Sequence, residues 1–234
     1  MVYVQIHYFY KYIKNIYVPH TQGHIHIYTV KAIRFSDGLF YCYNSNRSTM
    51  DYTIKFIQSK NGDYVRVYIT LAGGHIDLHP MHGNEELKEN MEACMILADH
   101  GFTIELLPML HAEEIALRKK FLPDVFCNKN PDVRINGQLI GDIKTPDKDL
   151  PITKSTISRL ILSAAKQKAD IAILNLYERD YSFQDIKRGT VGALQPDRNR
   201  SILLVWVITK NRNLFTISRQ MVFNDSVYER LIHL

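Results

Sequence analysis

Three residues in one short stretch have the types and spacing for phosphate or metal chemistry: Asp132, Asp142 and Lys144. They lie in Asn130-Pro131-Asp132-Val133-Arg134-Ile135-Asn136-Gly137-Gln138-Leu139-Ile140-Gly141-Asp142-Ile143-Lys144. Asn-Gly between alternating apolar residues predicts two strands joined by a tight turn. The strand period of two puts Asp142 and Lys144 on one face and Ile143 on the other. Two acids and a lysine converging on one face could hold a divalent cation and a phosphate. Mg²⁺ takes oxygen ligands, usually one or two carboxylates with substrate phosphate oxygens. A lysine beside it would orient an attacking water or neutralise charge developing at phosphorus. The plain alternative is that Asp132 caps a turn while Asp142 and Lys144 are exposed strand residues.

The charge of the chain is uneven. Its 234 residues carry net +5 at pI near 9.0. Residues 1–70 hold net +5, residues 71–150 net −6 and residues 151–234 net +6. An acidic centre with basic flanks suits an enzyme acting on a polyanion, and equally suits solvated helix faces. Cys42, Cys94 and Cys127 are few, odd in number and far apart, as expected of reduced thiols in a cytoplasmic protein. No apolar run approaches the roughly 18–20 residues of a membrane span, and the aromatic, alternating start is unlike a signal peptide.

The elements around the stretch follow from periodicity. Residues 1–80 read as a β-rich region, with strands at Ile25–Val30 and Tyr64–Ile69 and turns at Ser36-Asp37-Gly38 and Lys60–Asp63. More than half of the tyrosines fall there, as half-buried sheet residues or as stacking platforms for bases. The groups His20, His24, His26 and His75, His79, His82 lack the cysteine pair of a zinc site and read as ordinary strand and loop histidines. Residues 81–234 read as a second domain. A helix is expected from Asn84 to His100, capped by Asn84 and ended by Gly101, with Glu86 in its first turn and able to face inward. A strand at Phe102–Pro108 and a helix at His111–Phe121 precede the hairpin. A helix over Thr153–Lys168 follows, with Ile157, Leu160, Ile161, Ala164 and Ala165 inward and Lys154 and Lys166 off that stripe. Strands at Ala169–Leu176, Ser201–Thr209 and Asn213–Ser218, a short helix at Tyr181–Thr190 and a last helix at Val222–His233 complete an α/β domain around a mixed sheet. Lys187-Arg188 and Arg198-Asn199-Arg200 are the densest basic groups outside the centre, placed to meet phosphates or to lie as exposed loop charge.

Pro131-Asp132, nine residues, then Asp142-Ile143-Lys144 resembles the signature of the PD-(D/E)xK nuclease superfamily, and the element order resembles its restriction-endonuclease-like αβββαβ core. A closer resemblance runs over residues 84–176. It is carried by Glu86, Asn90, Leu97-Ala98, Gly101-Phe102, Leu106-Leu107-Pro108, Asn130-Pro131-Asp132, Asp142-Ile143-Lys144-Thr145-Pro146 and Ala165 to Asp170. These look like the tRNA-nuclease C-terminal domain of contact-dependent inhibition toxins. That resemblance implies an RNA-cleaving enzyme dependent on Mg²⁺ or Mn²⁺. Asp132 and Asp142 would be metal ligands, Glu86 a third, Lys144 the catalytic lysine, and Lys166 and Gln167 part of the substrate groove. Nucleic acid (tRNA or other RNA before DNA) and an inhibitor protein are the partners it implies. The chain departs from the family in its β-rich start and its tail after residue 180, which would suit a standalone nuclease of a mobile element or phage. The second reading is an inactive module of the same fold that binds nucleic acid or a partner protein.

Overall fold

A computed structural model describes residues 63–224, 226 and 227, together with two short strands, β1 (Ile33–Arg34) and β2 (Phe40–Tyr41), which pair antiparallel. The strand expected at Ile25–Val30, the turn at Ser36–Gly38, His20, His24, His26 and most of the last helix lie outside the described residues. Among the described residues no helix is long and apolar enough to cross a membrane. The fold is mixed α/β, as the alternation of elements predicts. The chain forms two compact units: residues up to Pro80 with Asn84–Glu105, and Met81–Gly83 with residues from Leu106 onward.

In the first unit β3 (Val65–Ile69) pairs antiparallel with β4 (His75–Leu78), with a bulge between Arg66 and Tyr68. β5 (Thr103–Leu106) runs on from α1 (Leu87–Asp99). Met91, Cys94, Leu97 and Ala98 are the buried stripe of α1, at the helical spacing that predicts it. The helix starts later than expected. Glu86, not Asn84, holds the N-cap position, and its side chain makes no capping bond. Gly101 (φ 89°) ends it: Gly101 N–H donates to Ala98 O and Phe102 N–H to Leu97 O, the two bonds of a Schellman cap. Arg66 donates two hydrogen bonds to Asp77, and Tyr68 donates its hydroxyl to Asp99.

The second unit contributes five strands, in the order β10-β9-β8-β7-β6, to the eight-stranded mixed sheet. These five are β6 (Val133–Ile135), β7 (Leu139–Lys144), β8 (Ile171–Asn175), β9 (Leu204–Ile208) and β10 (Leu214–Ser218). β6–β7 and β9–β10 are antiparallel, and β7–β8 and β8–β9 are parallel. β8 is buried along its whole length, which is why its sequence is a continuous apolar run instead of an alternation. α2 (Ile115–Phe121) precedes the hairpin. It begins four residues later than expected because His111–Glu114 form a separate turn, in which the Glu114 carboxylate accepts from His111 N–H. α3 (Lys154–Lys166), capped by Thr153, crosses from β7 to β8; α4 (Phe183–Ala193), capped by Ser182, crosses from β8 to β9. α5 (Arg219–Phe223) follows β10 under a Ser218 cap.

α3 and α4 pack closely through one glycine. A Cβ at Gly189 would lie 2.6 Å from Ile157 Cβ and 2.8 Å from Lys154 O, while one at Gly192 meets nothing within 4 Å. Gly189→Ala is therefore expected to lower unfolding free energy by about 1–3 kcal/mol through overpacking. Gly192→Ala, on the same helix, is expected to be neutral or stabilising by up to about 1 kcal/mol. Urea unfolding of both variants measures the contrast.

Candidate active site

The hairpin forms as its sequence dictates. Asn136 (φ 50°) and Gly137 (φ 71°) both take left-handed backbone, and Gln138 N–H donates to Ile135 O at 3.0 Å. Those are the two positions of a type I′ turn. The register Val133↔Gly141 then sets Asp132, just before β6, near Asp142 and Ile143 on β7. Asp132 Oδ2 accepts the Ile143 N–H at 2.6 Å. Gly141 is small because a Cβ there would lie 2.8 Å from Val133 and 2.9 Å from Ile173.

Asp132, Asp142 and Lys144 come together in this way. Lys144 Nζ lies 2.8 Å from Asp142 Oδ2 and 4.0 Å from Asp132 Oδ2. Asp142 is 1% exposed and Asp132 8%, so neither is the solvated strand or turn residue of the plain alternative. Asp142 Oδ2 accepts no aligned hydrogen bond, although the Lys144 charge is close. Burial, and after it the neighbouring Asp132 charge, push the Asp142 carboxyl up to about 8; Lys144 pulls the other way without reversing this. With both acids ionised, the single lysine would leave the cluster short of positive charge.

The chain on either side of the cluster is braced by side chains that sequence patterning does not single out. Asn130 Oδ1 accepts from Leu110 N–H and Arg118, its Nδ2 donates to Leu110 O, and its own N–H donates to Gln167 Oε1. Leu107 N–H donates to Asp132 O. Arg118 is buried and also donates to the carbonyls of Leu110, Phe126 and Lys129. Beyond Lys144, buried Arg179 grips the carbonyls of Pro146, Asp147 and Leu150, and Asn175 Nδ2 donates to Thr145 Oγ1. Arg219 does the same for the turn after α4, donating to the carbonyls of Leu194, Gln195, Arg198, Asn199 and Ile202. Each uses the guanidinium fork to satisfy several loop carbonyls at once.

The other candidates are dispersed. Glu86 is exposed at the start of α1 in the first unit. Among the described residues no group of three or more His, Cys, Asp or Glu is placed to hold a metal, and His75, His79 and His82 form no such group. Lys154 and Lys166 are exposed at the two ends of α3. Gln167, at the C-cap of α3, is half-buried and accepts the Asn130 N–H. On α4, Lys187 is half-buried and Arg188 exposed. Arg198 reaches Gly192 O, and Arg200 pairs with Asp197, on the turn that Arg219 holds.

No curated protein matches this chain. Among solved structures, a chain of the CdiA-CT/CdiI toxin and immunity complex from Burkholderia pseudomallei is similar at 22% identity and a TM-score of 0.40, over 57% of this chain and 84% of that one. Residues 129–214, which contain Asp132, Asp142 and Lys144, match the family model of the contact-dependent growth inhibition CdiA C-terminal domain.

Proposed function

We propose that the protein is a toxin-like nuclease that hydrolyses phosphodiester bonds of nucleic acid, RNA and tRNA before DNA, with Mg²⁺ or Mn²⁺. The observation that carries this reading is the meeting of two buried carboxylates with one lysine on the hairpin. The match of residues 129–214 to a growth-inhibition toxin domain supports it, because it spans the whole cluster. An inhibitor protein is the partner that such an activity calls for in the cell that makes it.

The residues fit a divalent cation. The donors are carboxylate oxygens, one of them buried without an aligned hydrogen bond, and with both acids ionised, as ligands must be, the pair would carry more negative charge than Lys144 balances. Asp132 and Asp142 would hold the ion. When bound, it would supply Lewis-acid polarisation of the phosphoryl group and a more acidic water. Lys144 places an ammonium beside both acids, where it neutralises charge on a phosphoryl oxygen and donates to an attacking water. Asp132 also holds the Ile143 N–H, which locks the strand between the other two residues in place.

Incubating the protein with tRNA, single-stranded RNA and duplex DNA, each with Mg²⁺, with Mn²⁺ and with chelator, tests the proposal. Metal-stimulated, chelator-abolished cleavage of RNA is expected. Binding without cleavage of any of these substrates would leave the inactive-module reading in its place.

A further inference from the structure

The parallel strands β7, β8 and β9 end at one edge of the sheet: Lys144 lies opposite Leu174, and Asn175 opposite Ile208. Ligands of open α/β sheets gather outside the carboxyl ends of strands. A cavity of about 520 Å³ opens on that rim. Asp180, Tyr181 and Phe183 line it from the chain leaving β8, Lys210 and Asn213 from the turn after β9, and Phe215 from β10.

The lining combines two chemistries. Tyr181 meets Phe183 edge to face with ring centroids 5.5 Å apart, and Phe183 meets Phe215 in the same way at 6.3 Å. All three rings are half-buried. Lys210, on the exposed turn, pairs with exposed Asp180, and its backbone N–H donates to the Tyr181 hydroxyl. A solvent-exposed pair of this kind contributes little, so the ammonium can exchange the carboxylate for a phosphate. Arg212, stacked 5.6 Å over the Tyr177 ring, adds a second cation to the same turn. An aromatic wall of edge-to-face rings, each able to offer a face or an edge to a base, together with a cationic rim matches a base and its phosphate. A duplex offers no free base face to such a wall.

We propose that this cavity binds an unpaired nucleotide of the nucleic-acid substrate, with the base against Tyr181, Phe183 and Phe215 and the phosphate on Lys210. The identity of the ligand rests on the nuclease reading above. The cavity and the hairpin cluster share one sheet edge, β7 and β9 being two strand spacings, about 10 Å, apart. Arg179 braces the loop after Lys144 from the β8 side of that edge. The subsite therefore selects single-stranded or looped segments and sets their register on Asp132, Asp142 and Lys144.

The test uses the full chain in chelator, with fluorescence anisotropy of a labelled eight-nucleotide single-stranded RNA and of the same sequence as a duplex. Phe215→Ala is expected to weaken single-strand binding about five- to a hundredfold and duplex binding by less than about twofold. Lys210→Ala is expected to weaken binding and to lower the salt slope by about 0.7. Asp180→Asn is expected to tighten it, because the carboxylate competing for Lys210 is gone. Asp180 and Lys210 are exposed, so these two variants answer even where Phe215→Ala misfolds. Unchanged affinity in both, or equal losses on the duplex, overturns the assignment. The two readings fail separately. Cleavage by the parent chain without these binding changes removes the subsite alone. The binding changes without any metal-stimulated cleavage remove the nuclease and keep the subsite.

Discussion

Asp142→Asn is expected to lower metal-stimulated cleavage by at least about 10²–10⁴-fold while leaving the fold intact, and Lys144→Met to do the same. Asparagine keeps the shape of a side chain that is 1% exposed but removes the ionisable carboxyl that faces Lys144 at 2.8 Å. Methionine keeps the apolar stem of Lys144 and removes the ammonium that lies beside both acids. Asp132→Asn is the cleaner choice at the third position. Alanine there would leave the buried Ile143 N–H without its acceptor, and lost activity would then mix with lost stability. Circular dichroism and urea unfolding check the fold, and initial rates on tRNA check the chemistry. Equal metal-stimulated rates in the parent and Asp142→Asn would end the proposal that this cluster is catalytic.

Without added metal, the parent is expected to lose stability as pH rises from about 5 to about 8.5, relative to Asp142→Asn. The sign follows from proton binding. Burial and Asp132 raise the Asp142 carboxyl from 3.8 to about 8 in the folded chain. Between those values the folded state holds a proton that the unfolded state has released. Unfolding free energy therefore falls with pH across this window and levels off above it. The parent-minus-variant difference in unfolding free energy should therefore fall steadily with pH across the window. The comparison with Asp142→Asn cancels the other titrating groups. A divalent cation, by taking the place of that proton, should stabilise the parent more at pH 8 than at pH 6 and leave Asp142→Asn unmoved. Thermal unfolding of parent and variant at the two pH values, with and without Mn²⁺, measures both effects. A difference that is flat with pH would mean that Asp142 is ionised throughout.

The elements that position the cluster were legible because each rests on a local rule. The Asn136-Gly137 turn, the buried stripe of α1 and the apolar run of β8 need only backbone sterics and burial periodicity. Boundaries were less legible where side chains competed with helix. Asn84 has the right type for a cap, yet α1 starts after Glu86, and Glu114 folds back on His111 and delays α2. Gln167 shows the same limit at the site. Its spacing places it beside Lys166, but only packing decides that its amide serves Asn130.

The chemical types at the hairpin and the face that Asp142 and Lys144 share follow from local order along the chain, because strand period and turn chemistry are properties of neighbouring residues. Packing of distant segments is what buries both acids around one lysine, and that burial raises Asp142. Packing also made braces of buried Arg118 and Arg179 and of half-buried Arg219, although arginine is mostly exposed. The physical reason is that desolvation, and the supply of carbonyls from distant loops, depend on which segments the packed chain brings around a side chain.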